Sequence, residues 1–239
     1  VNTGAIDPLE SLALLAQKYQ LWFHVDGAYG GLASGLPELR AAYRGIALAD
    51  SIALDFHKWL YQPFEVGCVL VRDWQTLRAS YHQHADYLDN NFDGTSVQFD
   101  FNDHYFQLSR NAKAFKVWTS IKVYGFERFR AMIRKDISLT QYLKAQVEAS
   151  PDFEWLASGP LAVGCFRYRG TMVAESEKGA FNQRLVPALE ADGRVFIMGT
   201  KLKGQFALRA CLINHRKDHA AIDYLLSVIR EVAEKQVPV

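Results

Sequence analysis

The chain has 239 residues, 49% of them hydrophobic and 22% charged, with 27 Lys and Arg against 26 Asp and Glu for a net charge of +1. This composition is too apolar for a disordered chain and too mixed for a fibre or coiled coil, and a balanced charge lacks the single-sign field with which a nucleic-acid binder releases phosphate counterions. No apolar run approaches the roughly 20 residues of a membrane span, and Cys68, Cys165 and Cys211, each in an apolar stretch, read as reduced core thiols of a cytoplasmic protein.

In chain order, Asp7-Pro8-Leu9-Glu10 combines a capping acceptor, a proline at the first helical position and an acid at the third, so a helix is predicted to start there. Leu9, Leu12, Leu15 and Ala16 form its expected apolar stripe. Leu21–Val25 is a short continuous apolar run, the pattern of a buried parallel strand, and it ends at Asp26. Gly27, Gly30 and Gly31 open a loop, a short helix is expected around Pro37–Tyr43, and Ser51–Leu54 reads as a second strand ending at Asp55. A third strand, Val66–Val71, precedes a helix near Trp74–Ala79. This order predicts right-handed crossovers and a mostly parallel sheet.

Residues 81–106 lack a period and carry Asp, Asn and Gly, as expected of a long functional loop. Residues 110–149 read as helix, broken at Gly125 and stopped before Pro151. Arg128, Arg130, Arg134 and Lys135 fall on it at helical spacing, as a solvated face does. The remainder reads as a smaller α/β unit: strands near 153–156, 163–168, 195–197 and 206–212, helices near 177–191 and 218–235.

Several familiar signatures are missing: GxGxxG, GxxxxGK[ST], GxSxG and CxxC. His82 with His84, and His215 with His219, lack acidic or cysteine partners nearby and read as surface histidines, so no metal site is expected. The informative pair is Asp26 and Lys58. Each lies at or just beyond the carboxyl end of a predicted strand, where open α/β sheets place ligand chemistry. Lys58 is flanked by Phe56, Trp59 and Leu60, which are expected to desolvate its ammonium and favour a nucleophilic amine. A snorkelling structural lysine is the plainer alternative.

His24-Val25-Asp26-Gly27-Ala28-Tyr29-Gly30-Gly31, Asp50-Ser51 and Asp55-Phe56-His57-Lys58-Trp59 together resemble the group II pyridoxal-phosphate-dependent decarboxylases, which include aromatic-L-amino-acid, histidine and glutamate decarboxylases. The similarity continues through Asn2–Asp7, the Phe115-Lys116-Val117-Trp118 helix and the Phe206-Ala207-Leu208-Arg209 strand. The resemblance implies an α/β fold of type I, like aspartate aminotransferase, with part of the large cofactor domain over residues 1–108, connecting helices over 109–150 and a small C-terminal domain over 151–239. It implies decarboxylation of an L-amino acid, aromatic by preference, through a Schiff base at Lys58 and a quinonoid intermediate. Asp26 would pair with the pyridine nitrogen, Ala28 pack on one ring face, and His57 and Asp55 lie beside the phosphate. A carboxylate at Asp55, where many members carry Asn, would repel that phosphate unless it turns away or a cation shields it.

The role of Arg110, which matches an arginine just after the loop, is left open. The aromatic decarboxylases take a proton from a loop tyrosine, whereas residues 88–104 contain none, with Tyr87 and Tyr105 on either side. Other fates on the same fold, an aminotransferase or aldehyde synthase among them, therefore stay open, as does a non-catalytic dimerisation fragment. Family members are longer and act as homodimers with the site at the interface. The chain is thus expected to be a C-terminal portion that is inactive and poorly stable alone, without signal peptide or anchor, partnering neither nucleic acid nor membrane.

Overall fold

The computed structural model describes residues 2–81, 101–170 and 173–236, which form two compact units. One comprises residues 8–32 and 43–123; the other comprises 1–7, 33–42 and 124–239.

In the first unit, helix α1 (Leu9–Lys18) leads into strand β1 (His24–Asp26), which pairs parallel with β2 (Ser51–Asp55). A one-turn helix α2 (Phe56–Trp59) follows, then β3 (Gly67–Val71) and α3 (Trp74–Tyr81). The expected α/β character holds, with one correction. β3 runs antiparallel to β2, so the sheet is mixed rather than mostly parallel. The link from Asp55 to Gly67 is a single helical turn and a short loop, too little chain for the crossover that a parallel neighbour requires.

Local details also depart from expectation. Pro8, not Asp7, occupies the α1 N-cap, with no side-chain cap bond. The buried α1 face is Leu9, Ala13 and Ala16, while Leu12 and Leu15 are exposed. β1 is three residues long, and its His24 and Asp26 face outward rather than being covered on both sides. Between β1 and β2 the chain makes short 3-10 turns, Gly31–Gly35, Pro37–Leu39 and Ile46–Leu48, in place of a helix. The Arg72 N–H donates to the Asp50 carbonyl at 2.8 Å, and the Arg72 guanidinium donates to the Ala49 carbonyl at 2.9 Å, extending the β2–β3 pairing.

Most of the predicted loop, including Tyr87, His82 and His84, lies outside the described residues. Helix α4 (Lys113–Glu148) is interrupted where Gly125 takes φ 73° and ψ 158°, as its glycine predicts. In the second unit, β4 (Phe153–Ser158), β5 (Val163–Tyr168), β6 (Met198–Leu202) and β7 (Gln205–Cys211) form an antiparallel sheet in the order β4-β5-β7-β6. Helices α5 (Lys178–Asp192) and α6 (His219–Gln236) pack on it. The strand expected near 195–197 falls instead at Met198–Leu202, because Lys203 and Gly204, both at positive φ, set the hairpin to β7. Phe166, Leu185, Leu208 and Ile229 are fully buried in this unit's core. Among the described residues no helix is long and apolar enough to cross a membrane.

Gly45, at φ 94°, lets the chain entering β2 touch α1: a Cβ there would lie 2.5 Å from the Glu10 Cα. Gly45→Ala is expected to cost about 2–4 kcal/mol through left-handed strain and backbone overlap, read as a lower urea midpoint.

Candidate active site

The parallel register pairs Asp26 with Ala53, so Asp26 and Asp55 occupy the carboxyl ends of adjacent strands. After Asp26 the chain turns sharply. The Gly27 N–H donates to the Val25 carbonyl at 3.0 Å and the Gly31 N–H to the Gly27 carbonyl at 2.8 Å. A Cβ on Gly27 would sit 2.9 Å from the Ala53 carbonyl oxygen, and one on Gly31 2.5 Å from Leu54 Cδ2, so only glycine lets this turn lie against β2. Asp26 Oδ1 accepts the Ala28 N–H at 3.1 Å, and among the described residues Asp26 makes no ion pair. The Tyr43 hydroxyl donates to the Gly30 carbonyl and closes the turn; burial pushes that phenol well above its ordinary range.

Lys58 is presented by α2. The Tyr29 ring stacks on Trp59, centroids 4.8 Å apart, tying the turn after β1 to the turn that carries Lys58. Trp59 is fully buried, and the Gln62 side chain donates to the Leu60 carbonyl at 2.9 Å and to Ser120 Oγ at 2.8 Å. Lys58 Nζ forms an ion pair with Asp55 Oδ2 at 2.7 Å, and its side chain is 38% exposed. The flanking apolar residues therefore do not seal it from water as expected: Trp59 and Leu60 turn into the core, whereas Lys58 faces outward. His57 Nδ1 lies 3.1 Å from the Val66 carbonyl, which can only accept, so Nδ1 carries the proton. Its Nε2 is 3.8 Å from Asp55 Oδ2, and the Phe64 ring lies against the imidazole at 4.7 Å.

The structure thus joins Lys58, His57 and Asp55 in one cluster, and Asp26 with Ala28 in a second, on neighbouring strand ends. The Asp55 carboxylate is paired with the Lys58 ammonium. His24 anchors elsewhere: its Nδ1 is 2.7 Å from Ser51 Oγ, which also accepts the Trp22 Nε1–H at 2.8 Å. Tyr43 was not readable as a site residue, and Ser51, Tyr29 and Trp59 were signalled only by their place inside the motif segments. Arg110 lies over the rings of Tyr105 and Phe101 at 4.7 and 5.5 Å, outside both clusters.

Beside the site, the Lys113 ammonium bonded to Glu65 holds that carboxyl below its usual range, and burial pushes the Cys68 thiol up, which disfavours its nucleophilic form. Among the described residues no group of three His, Cys, Asp or Glu could hold a metal ion, and His219 stacks on Tyr142 at 4.1 Å.

Residues 1–169 match the family described as pyridoxal-dependent decarboxylase conserved domain. The chain is 33% identical to the aromatic-L-amino-acid decarboxylase of Bacillus atrophaeus, over 98% of this chain and 49% of that protein. It is 30% identical to a phenylacetaldehyde synthase of Arabidopsis thaliana, over 88% of this chain and 43% of that one. The crystal structure of Oryza sativa TDC with PLP and tryptamine superposes with a TM-score of 0.89 at 26% identity, covering 98% of this chain and 49% of that chain. The chain therefore spans about half the length of the curated relatives it matches.

Ser51→Ala removes the shared partner of Trp22 and His24. It is expected to cost about 1–3 kcal/mol in the urea unfolding of the chain, with Ser51→Thr recovering most of it.

Proposed function

The chain belongs to the pyridoxal-dependent decarboxylase family, whose cofactor is pyridoxal phosphate, and from that premise we propose that its two strand-end clusters take part in removing the α-carboxylate of an aromatic L-amino acid. The observation that carries this reading is the placement of a partly exposed primary amine, Lys58, on the helical turn after β2 and of an outward-facing carboxylate, Asp26, at the end of the parallel neighbour β1. The donor set fits the cofactor. Lys58 offers the amine that would hold its aldehyde carbon, and Asp26, with no cation of its own among the described residues, offers a carboxylate to a protonated pyridine nitrogen. Ala28, fixed by its N–H bond to Asp26, would be the small residue on one face of the ring.

When bound, pyridoxal phosphate supplies an electron sink for the pair left at Cα as carbon dioxide departs. The chain's own residues do the rest. Asp26 keeps a proton on the ring nitrogen, which makes that sink effective. Because His57 Nδ1 is committed to the Val66 carbonyl, only Nε2 is left to face a ligand. Residues 1–108 are assigned to the large cofactor domain, 109–150 to connecting helices and 151–239 to the small domain. Assembly as a homodimer belongs to the same reading; it is supported by exposed Phe115, Trp118 and Phe126, which an interface would cover.

An aldehyde-forming outcome is the second reading, favoured by the phenylacetaldehyde synthase relative and by the absence of tyrosine over residues 88–104. Products separate the two. A full-length protein carrying this chain, reconstituted with pyridoxal phosphate and given L-tyrosine, L-tryptophan or L-phenylalanine, is expected to release carbon dioxide and the amine. Aldehyde with peroxide would select the second reading, and a keto acid would contradict both. Asp26→Ala is expected to retain cofactor absorbance while turnover falls on the order of 100-fold or more.

A further inference from the structure

Resting on the assignment of Lys58 as the cofactor-holding amine, we propose that Asp55 is a latch on that amine: it holds Lys58 Nζ in an ion pair in the cofactor-free chain and slows capture of the aldehyde. Asp55 ends β2 and Lys58 lies one helical turn on, so the 2.7 Å ion pair is built from a strand end and the first turn after it. Asp55 Oδ2 faces both Lys58 Nζ, at 2.7 Å, and His57 Nε2, at 3.8 Å. His57 cannot turn to relieve Lys58, because its other nitrogen is bonded to the Val66 carbonyl.

Capture needs the neutral amine. Its lone pair forms the bond to the aldehyde carbon, the carbonyl oxygen leaves as water, and the proton shed by the ammonium goes to solvent. Nζ held by the Asp55 carboxylate must also leave that ion pair before it can reach the aldehyde. Asp55 is too weak a base to keep that proton, so it restrains Lys58 rather than activating it. The two side chains are 26% and 38% exposed, so water screens the pair and the effect is modest, about two- to fivefold. Asp55 is therefore a positioning residue that acts through Lys58.

The test compares the full chain with Asp55→Asn and Asp55→Glu. Trace acetylation of the cofactor-free proteins, read by peptide mass spectrometry, gives Lys58 reactivity relative to exposed Lys201. Stopped-flow absorbance gives the rate of pyridoxal phosphate uptake. The expected result is a two- to fivefold rise in both for Asp55→Asn, with Asp55→Glu close to the parent. The Lys201 reference guards against misfolding, since an unfolded chain would acetylate all lysines alike; in that case Asp55→Ser takes the place of Asn. Unchanged or lower Lys58 reactivity in the folded neutral variant overturns the latch. If Lys58 reactivity rises but none of the proteins takes up the cofactor, the latch stands and the cofactor assignment fails.

Discussion

The parallel pairing of β1 with β2 is the constraint on which the site depends. Its register, His24 with Ser51 and Asp26 with Ala53, sets the Asp26 carboxylate on one strand end and delivers the chain to Asp55 and the Lys58 turn on the next. Side chains alternate along a strand, so a slip of one residue would turn Asp26 to the other face. Three local features hold the register. The Asp50 carboxylate accepts the Phe23 N–H at 2.7 Å, Ser51 receives Trp22 and meets His24, and Gly27 lies against the Ala53 carbonyl. A short strand with few ladder bonds is thereby pinned by side chains.

The second dependence is aromatic. Tyr29 belongs to the turn after β1 and Trp59 to the helical turn after β2, and their stacking makes the two strand ends one unit rather than two flexible loops. Tyr43 closes the first turn from below by bonding to Gly30. The side chains left at these strand ends are outward-facing Asp26, partly exposed Lys58, and His57, whose tautomer is decided by the Val66 carbonyl.

Much of this was legible in the sequence, for identifiable reasons. Apolar runs that stop at an acid and are followed by glycines or by His-Lys-Trp mark strand ends, and both proved to be strand ends. The break at Gly125 and the antiparallel second sheet's β5 and β7 followed from glycine and from apolar runs. Strand direction did not, because periodicity carries no polarity; only the shortness of the link between Asp55 and Gly67 could have revealed that β3 runs back. The outward face of β1 was also hidden, since Leu21 to Val25 reads as buried while Leu21 and Trp22 are exposed. The Asp55–Lys58 pair was not foreseen, and neither were the hydrogen bonds of the Ser51 cluster, whose members are separated by up to 29 positions in the chain.

The central claim is that Lys58, among all the lysines, is the amine that the fold presents to an aldehyde. Borohydride reduction of the protein incubated with stoichiometric pyridoxal phosphate, followed by peptide mapping, tests it most directly. The account predicts a single phosphopyridoxyl group on Lys58. A label spread over surface lysines, or a single label on any other lysine, would contradict it.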